Sequence, residues 1–146
     1  MSKYPNFTLS EFTESPTAKW RMISNTPDFD TVEHLDELVG TILQPLRRAW
    51  GKPLTVSSGY RCPALNRAVG GVSNAAHLYG YAADITTTGD LDTFIEFAER
   101  WMKAQGIKWD QSINESNKKG SHWWHIAIRG AGGVQRCQSF KLLKQS

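Results

Sequence analysis

The sequence predicts an α+β fold, a small central antiparallel sheet flanked by helices. Three observations lead there. Two long stretches, residues 30–50 and 90–106, carry apolar side chains at helical spacing. Four short β-prone runs, "LTVSSGY", "GYAADITTT", "WDQSINE" and "WWHIAIRG", are bounded by Gly, Pro or polar turns. Their order puts helices first and strands after, with one helix interposed, which favours α+β over a parallel βαβ array.

"NFTLSEF" opens with Thr8 and Ser10 beside an acidic residue, a helix-capping start. "SPTAKWRMI" continues as a short helix until "SNTPD" breaks it. In the first long stretch Val32, Leu35, Leu38, Val39, Ile42, Leu43 and Leu46 recur at steps of three and four. Pro45 lies inside that pattern, so a kink or restart is expected there. "GKP" ends the helix and "LTVSSGY" forms a strand. "RCPALNRAVGGVSN" gives one or two helical turns and a Gly-Gly turn, and "GYAADITTT" is the next strand. Asp90 caps the second long helix and Gly106 stops it. Two more strands flank the polar loop "SNKKGS", and the tail after "GAGG" reads as neither helix nor strand.

With 146 residues, one domain over residues 1–146 is expected. No run of about 18 apolar residues exists, so no helix spans a membrane. The first residues lack a basic stretch followed by an apolar one, so cytoplasmic synthesis without a signal peptide is expected. The net charge of +3 suits polyanionic surfaces, but Lys and Arg are scattered and no nucleic-acid motif is present. Cys62 and Cys137 have no CxxC spacing and read as free thiols in a reducing compartment, with a bridge after release as the alternative. A monomer is the expected state.

Three of the four histidines fall in two suggestive settings. His77 precedes Asp84 by seven residues, with Gly80, Ala82 and Ala83 leaving room between, and His125 lies 41 residues further on in "HWWHIAI". A catalytic zinc takes three protein ligands and leaves one position open. A strand carrying His125 beside the Asp84 strand would complete that set. Any one such histidine is more often a hydrogen-bonded core residue. The combination and the segment before it raise the metal reading. His34, on the first long helix, falls outside every motif and reads as a surface or interface histidine.

The segment "SGYR…LN…VGG…H-x-x-G-x-A-x-D", followed by "DQ" and "W-x-H-I", resembles the zinc D-Ala-D-Ala carboxypeptidase-like peptidase family. That family includes phage and prophage cell-wall peptidases and shares its fold with the Hedgehog signalling domain. The resemblance implies one Zn2+ on His77, Asp84 and His125. It also implies that Arg61 reaches into the cleft, where a guanidinium can hold a carboxylate bidentately or stabilise an oxyanion. Without the motif, Arg61 would read as an ordinary loop ion pair. Gly59 and Tyr60 shape the turn, and Asn66 with Gly70–Gly71 is structural.

The chain departs from the family pattern twice. Many relatives carry an acidic residue three positions before the last zinc histidine, where this sequence has His122, and some use histidines near this place. His122 is therefore ranked first as the general acid/base and Glu115, in "DQSINE", second; a solvated strand-end group is the plain reading of either. Relatives also carry Ser two residues before the first zinc histidine, where Ala75 stands, with Ser73 nearby as a substitute. Trp123 and Trp124 fall on alternate strand faces, with core packing expected for both, and Gln111 bonds within the cleft or locally.

The resemblance implies a zinc metallopeptidase, a carboxypeptidase or endopeptidase acting on peptidoglycan stem peptides or cross-links. The leading expectation is a phage endolysin freed by holin-type release. A phage-particle component with local wall-degrading activity is a further option. The alternative is a catalytically weak zinc-containing domain of the same fold that binds a wall peptide or a protein.

Overall fold

A computed structural model of the chain describes residues 3–145. Helix α1, Leu9–Thr13, starts where the Thr8 backbone N–H donates to Glu11 Oε1 at 2.9 Å. Helix α2, Pro16–Trp20, is capped by Ser15, whose Oγ accepts from Ala18 N. Helix α3, Phe29–Leu38, is capped in the same way by Asp28.

The interruption expected at Pro45 takes the form of a π turn. Residues Val39–Leu43 wind more loosely before helix α4, Gln44–Trp50, resumes. Proline lacks an N–H and its ring presses on the carbonyl four residues back, which a wider turn relieves. The Gln44 N–H accordingly donates to Val39 O, five residues back. The turn stays apolar on its buried side, through Val39, Ile42 and Leu43. The buried Gln44 side chain exchanges hydrogen bonds with Asn6, pinning the N-terminal segment to it.

Strands β1 (Leu54–Ser58), β2 (Ala82–Thr87), β3 (Gln111–Asn117), β4 (His122–Ala127) and β5 (Gln138–Lys144) form one sheet in the order β1-β2-β4-β3-β5. Pairings among β1 to β4 are antiparallel, as expected. The tail after "GAGG" becomes β5, an edge strand parallel to β3. Every β5 residue is exposed, so its place depends on the ladder and on Asp110 at the β3 entrance. Asp110 is buried and holds Arg136 through two oxygens at 2.8 Å, and its main chain meets Gln138.

Helix α5, Pro63–Ala68, lies in the long connection between β1 and β2. Helix α6, Leu91–Ala104, is capped by Asp90 and ends before Gly106, which takes the positive φ of +69° that a residue with Cβ resists. Its Phe94, Ile95, Ala98 and Met102 are buried with Ile85, Trp124 and Ile126, in one core with the α3–α4 residues. Trp124 meets Phe94 edge-on at 5.3 Å and its Nε1–H donates to Ser112 Oγ at 2.8 Å. One sheet face is thus closed by α6. The other carries Asp84, Ile113, Glu115 and His125 into an open cleft.

Candidate metal centre

Strand alternation and register assemble the site. Asp84 and His125 are direct cross-strand partners of β2 and β4, which places their side chains side by side on the open face. His77 comes from outside the sheet, on a 3-10 turn over Ala76–Tyr79. Gly80 ends that turn at φ +75°, and a Cβ there would lie 2.7 Å from Thr31 O. His34 supports the same turn, since its Nδ1–H donates to Tyr79 O at 2.7 Å and its ring stacks on Tyr81.

The three predicted ligands converge. His77 Nε2 lies 3.3 Å and His125 Nδ1 3.1 Å from the same Asp84 oxygen. One donor atom from each residue falls within 4.8 Å of the others. Bond lengths of about 2.0–2.1 Å around a tetrahedral zinc put neighbouring donors roughly 3.3 Å apart. The donor set and spacing therefore fit Zn2+, and three ligands leave one position open. His77 Nδ1–H donates to Gly59 O at 2.7 Å, which fixes the tautomer and leaves Nε2 free to coordinate. Burial pushes the His77 imidazolium down, against the pull of Asp84, and so favours the neutral ring a metal needs. Burial also raises the Asp84 carboxyl, but the two imidazoles outweigh it and hold the group well below the usual carboxylate range.

Arg61 stands where the resemblance places it. β1 carries an irregularity between Val56 and Ser58, after which the chain turns at Gly59 and the Arg61 N–H donates to His77 O at 3.1 Å. Arg61 and His77 are thus built into one unit. The Arg61 side chain lines a cleft of about 540 Å³ together with His77, Asp84, Glu115 and His125. Its Nε is buried without an acceptor among the described residues, a donor available to a ligand. Burial lowers its guanidinium, offset by Asp84 and Glu115. Asn25 escaped the sequence reading. It donates to Thr13 O and Tyr60 O and accepts from Cys62 N, clamping the Arg61 loop from both sides.

The two acid/base candidates separate. Glu115 is on β3 facing the cleft, 4% exposed, with Oε1 3.8 Å from His125 Nδ1. Among the described residues its Oε2 has no hydrogen-bond partner, only Lys144 Nζ at 3.4 Å. His122 points to the opposite sheet face, because residues three apart on a strand alternate sides. There its Nε2–H donates to Asn114 Oδ1 at 2.5 Å and lies 3.6 Å from Asp92 on α6. The structure brings Glu115, and not His122, to the other site residues.

Trp124 is core, while Trp123 is half-buried with Lys144 Nζ 5.9 Å from its ring centre. Gln111 lines the cleft and donates to Gln138 Oε1 at 3.0 Å. Asn66 donates to Val72 O and accepts from Gly71, and a Cβ on Gly71 would collide with the Asn66 side chain, so both are structural. Ala75 lines the cleft, whereas Ser73 is exposed and not part of its lining. Cys62 and Cys137 are both free thiols.

A model of the Peptidase M15 family matches residues 5–123. The chain belongs to the Peptidase M15 family. Zinc D-Ala-D-Ala carboxypeptidase of Streptomyces albus G is 52% identical over 44 residues, which cover 30% of this chain and 17% of that protein. The family match thus includes Arg61, His77, Asp84 and Glu115, while His125 and β5 lie beyond it.

Gly59 gives a test of how tightly the site is built. A Cβ there would stand 2.5 Å from Phe12 O, and the Gly59 carbonyl orients His77. Gly59→Ala is expected to destabilise the protein by about 1–3 kcal/mol in urea unfolding. The shift needed to clear Phe12 moves the residue-59 carbonyl away from His77, and zinc binding should weaken by up to about 10–100-fold in a competition titration, the range for a disturbed outer-shell partner.

Proposed function

We propose that this chain is a zinc metallopeptidase that hydrolyses peptide bonds of peptidoglycan stem peptides or cross-links. The observation that carries the reading is the cleft itself: His77, Asp84 and His125 converge beside the Glu115 carboxylate and an Arg61 Nε that has no acceptor among the described residues. Membership of the family supports hydrolysis, and the name of the Streptomyces albus G relative supports the substrate class. The net charge of +3 suits an anionic wall polymer and the endolysin role.

His77, Asp84 and His125 would hold the zinc ion, which would supply Lewis acidity toward a peptide carbonyl and a water. The protein does the rest. Glu115 takes the proton of the attacking water and passes it to the leaving amine. Its position close to His125 sets it at the edge of the ligand set, and burial keeps bulk water from competing for it. Arg61 holds a substrate carboxylate through paired hydrogen bonds, fixing which carbonyl is presented. His122 takes no part. The weak or purely binding domain considered from sequence rested on the missing acidic residue at position 122, and Glu115 supplies that group from the neighbouring strand.

Purified protein incubated with peptidoglycan is expected to release new amino groups, to stop when a chelator is added, and to recover with zinc. Mass spectrometry of the products from one defined muropeptide would name the bond. No amine release in the presence of zinc would overturn the reading.

A further inference from the structure

The C-terminal strand gives the cleft a second wall. Alternate residues of β5, Phe140, Leu142 and Lys144, face the same side as Glu115 and line the cleft opposite Arg61 and the Val69–Val72 turn. Phe140 and Leu142 remain 43% and 41% exposed, so this apolar strip is only partly covered among the described residues. Lys144 ends the row. Its side chain is 44% exposed, its Nζ lies near the Trp123 ring, and its ion-pair partner among the described residues is Glu115 at 3.4 Å. An ammonium has three donors, so this contact leaves Lys144 capacity for another anion. The cleft holds two carboxylates, Asp84 and Glu115, against two side-chain cations, Arg61 and Lys144. A divalent ion would leave a clear positive excess, larger than one substrate carboxylate on Arg61 offsets.

Resting on the peptidase reading above, we infer that Lys144 is a specificity-determining residue that binds a second carboxylate on an acidic peptide substrate. The first carboxylate is held by Arg61, and the peptide between them lies along Phe140 and Leu142. The chain would then favour a peptide with two free carboxylates over the same peptide with one of them amidated.

The test compares two synthetic peptides that differ only in that amide, on wild type, Lys144→Met and Lys144→Arg. Each is followed by kcat/KM with zinc and by calorimetric binding to the metal-free protein. Wild type should prefer the diacid by about tenfold or more, as expected of one hydrogen bond to a charged group. Lys144→Met should lose the preference in both assays, and Lys144→Arg should retain most of it. Equal losses on both peptides in Lys144→Met, with the ratio intact, would show that Lys144 only steadies Glu115 and would overturn the inference. No preference in wild type would do the same. If wild type hydrolyses neither peptide nor peptidoglycan, the peptidase reading fails, while the binding ratio still decides the role of Lys144.

Discussion

Glu115→Gln is expected to lower peptide hydrolysis by about 10²–10⁴-fold, the range for loss of a positioned general base. Zinc content should stay unchanged, because Glu115 is not among the three converging ligands. The amide has nearly the carboxylate's shape but cannot take a proton, so the loss should fall on kcat. His122→Ala serves as the paired measurement. His122 bonds Asn114 and Asp92 on the α6 side of the sheet, and substitutions of such groups usually move free energies by no more than about 0.5 kcal/mol. Its rate should stay within roughly twofold of wild type. A large loss in His122→Ala with Glu115→Gln near normal would reverse the assignment.

The reason Glu115 was legible only in part lies in strand geometry. His122 and His125 stand three apart, so on a regular strand they cannot share a face. That much could be read from the β-prone run "HWWHIAI". What could not be read is register. Glu115 reaches the cleft because Ile113 pairs with His125, which puts residue 115 two steps along on the same side. That pairing is set by the turn between the strands, where Asn117 accepts from Lys119 and Ser121 through its side chain. The "SNKKGS" run announced a loop without announcing its alignment.

Elements governed by local chemistry were legible: the Asp90 cap and Gly106 stop of α6, the helix interruption at Pro45, and the small residues around His77 and Asp84. Elements held by distant partners were not. β5 has no buried side chain and no alternation of its own; it is a strand because β3 offers an edge and Asp110 grips Arg136. Asn25 looked like part of a breaker, and its clamp on residues 60 and 62 depends on a fold that brings together groups 35 and 37 positions apart.

Asp84→Ala is expected to remove zinc binding at concentrations that saturate wild type. Outer-shell partners of a metal already cost about 10–100-fold when lost, and a direct ligand should cost more. Asp84 is also the hub of this set, since both imidazoles approach the same carboxylate oxygen at 3.1–3.3 Å. Without it, the two imidazoles lose the carboxylate oxygen they share, and the remaining cleft carboxylate, Glu115, is not one of the three converging ligands. The effect can be separated from simple misfolding by thermal unfolding with and without zinc. A ligand at 100 times its Kd stabilises the native state by about 2.7 kcal/mol. For a chain of this length that is a rise in Tm of roughly 5–10 °C. Wild type should show the rise. Asp84→Ala should unfold cooperatively at a Tm that zinc does not move. If the variant keeps the wild-type shift, the ion is held elsewhere, and the roles of His77, His125 and Glu115 around it fall as well.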